Sequence, residues 1–311
     1  MESMGCYERA SNGRNPMRGK LTKILRYHIS IQTTRTIRIH ALLILSLIFM
    51  PGVVGAVDSF ILVSDVDDTV KVTNVLDRDA AARNAVASEL VFAGMSELYG
   101  GLLGKNSRAD RLEFVSGSPR AILSHKVREC LNGAHFPAYN LVLRGRITSA
   151  YDFKKNEMEK LYGESDNEFL LIGDDTESDP KVYAHFSSQK SDKVLAIYIH
   201  RITGRPLPPA KPSIVLFVTA YDIAMYEYKA GRLNEEQAAA VGEAVLTSEK
   251  TAFLPKFQKC PKEYTQVPDL PDSLKELKLK IEERMASLCS SRRPTQALHR
   301  TARALYALAA R

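Results

Sequence analysis

Cysteine is scarce in this 311-residue chain, and none of its four cysteines stands in the CxxC spacing of a zinc module. Cys6 lies near the start of the chain. Of the other three, the pairing expected is Cys260 with Cys289, because both fall in the carboxyl-terminal region, which leaves Cys130 alone. An excess of positive charge is also missing where a nucleic-acid protein would carry it. The net charge is +7, but residues 1–56 hold Arg9, Arg14, Arg18, Lys20, Lys23, Arg26, Arg35 and Arg38 against Glu2 and Glu8, so the remainder is left near +1. No nucleic-acid partner is expected of such a surface. The composition is otherwise that of a globular protein, 45% apolar and 25% charged.

The first 56 residues read as an export leader. A basic region ends at Arg38, an apolar stretch runs from Ala41 to Met50, Pro51-Gly52 breaks it, and small residues at Val54-Gly55-Ala56 suit a signal peptidase. The mature chain is then expected to begin at Val57, outside the cytoplasm; the basic region is long, and Met17 is a plausible true start of translation. The competing reading is an uncleaved amino-terminal membrane anchor, since Ile39 to Val57 is nearly long enough to span a bilayer.

The chemistry gathers at FILVSDVDDT, Phe60 to Thr69. Phe60, Ile61, Leu62 and Val63 form an unbroken apolar run, as expected of a strand buried on both faces of a parallel sheet. Asp65 and Asp67 follow two residues apart, so both leave the strand's carboxyl end on one side, where open α/β sheets hold ligands. Such a pair suits phosphoryl transfer, one carboxylate attacking phosphorus while the other exchanges a proton with the leaving and entering oxygens. With a dianionic phosphate present the charges need a counter-ion. A hard, oxygen-liganded cation such as Mg2+ meets that need. Thr69 adds a hydroxyl within reach of the transferring group.

Three further strand ends carry polar residues. Leu112 to Val115 runs into Ser116-Gly117-Ser118-Pro119, where a phosphate would meet hydroxyls, a close backbone and the start of the helix Arg120 to Cys130. The short strand YNLVL leads to Arg144 and Arg146, either a grip for an anionic substrate or solvated charge. Phe153-Lys154-Lys155 opens a helix reaching Tyr162, with Lys154 favoured over Lys155 as the cation that steadies the nucleophile. Phe169 to Ile172 ends in Gly173-Asp174, and Asp179 follows five residues after Asp174; the pair offers one metal ligand and one acid that orients it or its water. Asp179 before Pro180 also reads as a helix cap. His200, after the strand Leu195 to Ile199, is expected to be incidental to catalysis.

Taken together, SDVDDTVKVTNV, FAGMSELY, FVSGSP, LVLR, FLLIGDDTESDPKVYA and IYIHRITG resemble the catalytic domain of the actin-patch type of phosphatidate phosphatase, within the haloacid dehalogenase (HAD) superfamily. The likeness covers roughly residues 58 to 205. It implies an α/β fold with a Rossmann-like (HAD-type) parallel sheet, helices on both faces and a small cap. It also implies Mg2+-dependent removal of phosphate from phosphatidate to leave diacylglycerol. On this resemblance Asp65 is the nucleophile and Asp67 the general acid/base. Thr69 and Ser116 bind phosphate, with Gly117, Ser118 and Arg144 beside them, and Lys154 clamps the charge. Asp65, Asp67 through its carbonyl, and Asp174 hold the metal, with Asp179 next to them. Asp175 departs from the family's usual Ser, and His200 precedes Arg201 where Ile-Arg is typical.

The expected organisation is a leader over 1–56, a catalytic domain over 57–231 and a helical extension over 232–311. Between the first two strands lie helical patterns at Ala80 to Leu90 and Phe92 to Leu103. That interval, roughly 45 residues, is too short for a large folded cap. Beyond the sheet, a strand at Val215 to Thr219 and helices at Asp222 to Gly231 and Asn234 to Leu246 are expected. Ser273 to Glu276 reads as a capping box opening a helix with Leu274, Leu277, Ile281, Met285 and Leu288 on one face. Gln296 to Arg311 is a basic amphipathic stretch expected to dock on the protein or be disordered, with a peripheral place on an anionic membrane as the alternative. Two alternatives stand beside a phospholipid substrate: a soluble phosphomonoester or phosphoprotein, or an inactive membrane- or partner-binding module. The complete set of Asp65, Asp67, Lys154 and Asp174 speaks against the last.

Overall fold

The computed structural model describes residues 59–86, 90–104, 109–145 and 148–292. The leader with its cleavage site, Arg146 and the tail from 296 lie outside these residues. Six strands, β1 (Phe60–Ser64), β2 (Ala109–Pro119), β3 (Tyr139–Arg144), β4 (Glu168–Asp174), β5 (Val194–His200) and β6 (Ile214–Phe217), form one sheet. Their order is β3-β2-β1-β4-β5-β6 and every pairing is parallel. The chain moves outward from β1 through β2 to β3, then returns to lay β4 on the other flank of β1. The carboxyl ends of β1 and β4 therefore border the switch point of the topology, where a crevice opens.

Alternation along β1 divides the core. Phe60 and Leu62 face a cluster filled by α2 (Met95–Leu102), α3 (Arg120–Gly133), α6 (Ala220–Lys229), α7 (Glu235–Thr247) and α9 (Asp272–Arg292). Ile61 and Val63 face a second cluster with α4 (Ala150–Glu164) and α5 (Asp179–Gln189). All five β1 residues are buried, as a strand covered on both faces requires. The remaining helices are α1 (Arg78–Val86) and the single turn α8 (Lys250–Phe253). Among the described residues no helix is long and apolar enough to cross a membrane.

The α/β Rossmann-like expectation holds, with local corrections. Helix α4 begins at Ala150, not Phe153, because Ser149 accepts the Asp152 N–H at 3.0 Å and caps it. Pro119 ends β2 and stands just before α3. Helix α9 starts at Asp272; Ser273 donates to Glu235 instead of capping, so the expected capping box does not form. Its Leu274, Leu277, Ile281 and Met285 are buried in the first cluster, with Leu288 packed against it. Cys260 and Cys289 are disulfide-bonded, and Cys130 is free and buried.

Candidate active site

Asp65 follows β1, and its backbone N–H donates to Ile172 O on β4 at 3.0 Å, so the nucleophile candidate is pinned across the switch point. Asp174 ends β4. Asp179 opens α5, one residue after the cap position Ser178, so the helix-cap reading of Asp179 does not hold. Its carboxylate instead turns back, Oδ1 accepting from Lys154 Nζ and Oδ2 from the Asp174 N–H at 3.2 Å. That return needs a glycine at 173, because a Cβ there would stand 2.6 Å from Asp179 Cβ.

Lys154, on α4, also donates to Asp65 Oδ1 at 2.8 Å. Lys155 points elsewhere and pairs with Glu159. Asp65, Asp174 and Asp179 are buried with ligand oxygens all within 4.8 Å of one another. Burial pushes the Asp65 and Asp174 carboxyls well above the usual range, and like charge from Asp179 pushes the same way. Burial alone would lower the Lys154 pKa, but Asp179 and Asp65 hold it raised. Three carboxylates against one ammonium leave an excess of negative charge in a buried place. Their donor set, hard oxygens only, fits a divalent cation such as Mg2+.

Asp67 is placed differently. Its carboxylate turns from this cluster and accepts from Thr73 Oγ1 at 2.7 Å, Ser118 Oγ at 2.5 Å and Ser116 Oγ at 3.2 Å. The β2 to β3 register skips Gly117 and Ser118, so the bulge carries the Ser118 hydroxyl back to Asp67. Thr69 does not line the adjoining cavity, as a phosphate ligand would; its hydroxyl sits between Asp65 Oδ2 (3.5 Å) and Asp174 Oδ2 (3.4 Å). The cavity, about 280 Å3, is lined at its polar end by Asp65, Asp67, Ser116, Gly117, Ser118, Arg144, Thr176 and Glu177. Arg144 reaches it while donating to Thr148 O at 2.8 Å.

Sequence reasoning missed Glu177, Thr73 and the alanine face of α1, all of which line this cavity. Glu177 had a signal, since it stands inside the Asp174 to Asp179 motif; burial raises its pKa. The two departures also have structural roles. Asp175 accepts the N–H groups of Ile202 (2.9 Å), Thr203 (2.6 Å) and Gly204 (2.6 Å) and so fixes the loop after β5. His200 Nδ1 donates to Asp68 O at 2.8 Å, and its ring lies on Phe217 and edge-to-face with Phe92. Gln258 Nε2 donates to His200 Nε2 at 2.9 Å. Burial lowers the His200 pKa to about 4, so the ring is neutral. Asp68 has φ 57°, and three backbone N–H donors, from Thr73, Asn74 and Val75, hold its carboxylate.

A parallel sheet with acids at the carboxyl ends of β1 and β4, and a buried lysine joining Asp65 to Asp179, is the arrangement expected of a HAD-like phosphatase. Residues 60–201 match the model of the family described as phosphatidate phosphatase APP1, catalytic domain. Over those residues the chain is similar to a phosphatidate phosphatase-like phosphoric monoester hydrolase. No curated protein matches it. Among solved structures it is similar to the class C acid phosphatase from Bacillus anthracis with tungstate bound, at 13% identity and a TM-score of 0.33, over 68% of this chain and 86% of that chain.

Proposed function

We propose that the protein is an exported, Mg2+-dependent phosphatidate phosphatase working through an aspartyl-phosphate. The observation that carries the mechanism is the buried set of Asp65, Asp174 and Asp179 around Lys154, set behind a cavity that ends in Ser116, Gly117 and Ser118. Asp65 and Asp174, with the Asp67 carbonyl, would hold the cation, with Asp179 beside them orienting Asp174, and the cation when bound offsets the charge of carboxylates and phosphate together.

In the first step Asp65 attacks phosphorus through Oδ2, since Oδ1 is engaged by Lys154, and the bond from phosphorus to the glycerol oxygen breaks. Asp67 gives its proton to that oxygen and diacylglycerol leaves. In the second step Asp67 takes a proton from water, the resulting hydroxide attacks the aspartyl-phosphate, and inorganic phosphate departs with Asp65 restored. Lys154 keeps the Asp65 carboxylate oriented, while Ser116, Ser118 and the backbone at Gly117 receive phosphoryl oxygens. Arg144 and Glu177 both line the cavity and interact electrostatically, and they limit what lies next to the phosphate.

Export is supported by the leader at 1–56 and by the Cys260–Cys289 bond, which suits an oxidising compartment. A rate comparison tests the substrate. Purified protein is expected to release phosphate from phosphatidate in mixed micelles faster than from glycerol 3-phosphate or a phosphopeptide. The reverse order would assign it to soluble phosphomonoesters.

A further inference from the structure

Lys71 is a cationic side chain that no step of the reaction uses, yet it is only 1% exposed. Its backbone belongs to the turn that carries Asp67, Asp68 and Thr69: its N–H donates to Val66 O at 2.9 Å, and its carbonyl accepts the Asp68 N–H at 2.7 Å. Its ammonium leaves that turn. Nζ donates to Asn84 O and, at 3.0 Å, to Ala85 O, two carbonyls in the last turn of α1. Carbonyls at that end have no partner further along their own helix, and the helix dipole adds negative charge to them, so an ammonium answers both.

Helix α1 has little else to fix it. It is nine residues long and lies against α3, but among its described side chains none is buried. A helix this short is marginal in water unless packing or its ends hold it. Asp77 serves the amino end, its carboxylate accepting the N–H groups of Asp79 and Ala80. Lys71 serves the carboxyl end, where Asn84 Nδ2 adds a bond to Thr73 O at 3.2 Å. Open volume borders the helix on two sides. Ala81, Ala82 and Ala85 line the active-site cavity, while Ala80, Arg83 and Asn84 line another of about 510 Å3.

We propose that Lys71 is a positioning residue: it holds α1 from the catalytic turn, so that Ala81, Ala82 and Ala85 stay at the active-site cavity as the wall for the alcohol part of the phosphate ester. This rests on the phosphatase reading and adds what selects the leaving alcohol. Hydroxyls and backbone at Ser116, Gly117 and Ser118 suit the phosphate, whereas Val75, Leu123 and the three alanines offer methyl groups to whatever the phosphate is attached to. An alcohol with uncharged carbon next to its oxygen fits such a wall. Asp67 and Asp68 also act electrostatically on the ammonium, but among the described residues its hydrogen bonds go to α1.

The test is Lys71→Met in the full chain, read on butyl phosphate against methyl phosphate. The ratio of kcat/KM, butyl over methyl, should fall about tenfold, chiefly through KM for the butyl ester, the scale of withdrawing a few methylenes from an apolar wall. Hydrogen exchange of the α1 amides should quicken about 10- to 100-fold while β1 and β4 keep their protection, as expected when hydrogen bonds to a charged group are lost. Lys71→Gln keeps an N–H donor, so it should lose less on both readouts, and it carries the comparison if the Met variant does not fold. Lys155→Met, which removes a lysine paired with Glu159, should match wild type. An unchanged ratio with kcat lowered equally on both esters would assign Lys71 to Asp67 or to stability alone and overturn the proposal. Wild-type exchange rates in α1 of the variants, or protection lost in β1 and β4 as well, would overturn it too. Wild-type protein that hydrolyses neither ester would instead sink the phosphatase reading, and the exchange comparison would still decide whether Lys71 holds α1.

Discussion

Lys154 Nζ lies 2.8 Å from Asp65 Oδ1 and bonds Asp179 as well, so one buried ammonium joins the ends of two strands through α4 and α5. Removing it leaves three carboxylates facing one another with no protein cation. Lys154→Met should therefore cost activity about 100-fold or more, the scale seen when one charge-stabilising group is lost. Stability should fall by about 3 to 5 kcal/mol, since one partner of a buried ion pair is taken away. Asp65→Asn should abolish turnover yet keep the fold, because it lowers the carboxylate count while the amide oxygen still accepts from Lys154. Denaturant melts and phosphate release on both variants check this, and wild-type turnover in Asp65→Asn would rule out a covalent step there.

The same excess of negative charge predicts a cation requirement. EDTA should stop phosphate release and Mg2+ should restore it. Asp174→Asn and Asp179→Asn should raise the Mg2+ concentration for half-maximal rate, by about 10- to 100-fold for Asp179, whose carboxylate orients Asp174 through its N–H. Titration calorimetry of Mg2+ into each variant reads the same change without turnover. Undiminished activity in EDTA would remove the metal from the mechanism.

Much of this site was legible because its parts follow strands. An apolar run with acids at its end identifies β1 and Asp65 or β4 and Asp174 without any tertiary information, since a buried parallel strand has to be apolar and its carboxyl end has to be polar. Lys154 was placed by spacing alone, and the structure shows what spacing does not: that Lys155, one residue on, points to Glu159. What the sequence hid was side-chain direction within loops. Asp179 before Pro180 reads as a cap by local preference, yet its carboxylate turns inward to Lys154, a contact between residues 25 apart. Asp67 belongs with Asp65 on spacing, yet its carboxylate goes to the serines that the β2 bulge brings back. The alanine wall of α1 carries no local signal, because alanines in a helix look the same whether they face a cavity or solvent.

His200 ties the turn at Asp68 to β6 and to Gln258, and its neutrality sets a pH dependence. Burial lowers its pKa from 6.5 to about 4, so the native state binds fewer protons than the unfolded chain between those values. Stability from this group is present above about pH 6.5 and is lost as pH falls through about 4, a total of about 3 kcal/mol. Asp68 runs the other way, its pKa raised by burial to about 6, so its contribution is lost as pH rises through 6. A His200→Gln variant keeps the Asp68 term and drops the His200 term. Its stability should therefore fall less between pH 6.5 and 4 than that of wild type, measured by urea midpoint at each pH. Parallel curves for the two proteins would show that the His200 ring is not held neutral.

The last prediction concerns the carboxyl-terminal clamp. Cys260 and Cys289 are 29 residues apart and covalently joined, and nearby Arg292 donates from α9 to Leu254 O, Pro255 O (2.8 Å) and Gln258 O (2.8 Å). These contacts fix the segment that presents Gln258 to His200, and His200 in turn holds Asp68 O beside the catalytic acids. Replacing Cys289 by Ser opens a loop of that size in the unfolded chain, which should cost about 3 kcal/mol and lower the melting midpoint by roughly 6 to 12 °C. Because the clamp reaches the catalytic turn through Gln258 and His200, the variant should keep its KM for a soluble ester while kcat drops, and Gln258→Ala should reproduce the kcat loss with little change in melting. Cys130→Ser should leave kcat unaltered, since its thiol is buried and unpaired. A Cys289→Ser protein that melts lower but turns over at the wild-type kcat would confine the disulfide to stability and break the link from the clamp to the catalytic turn.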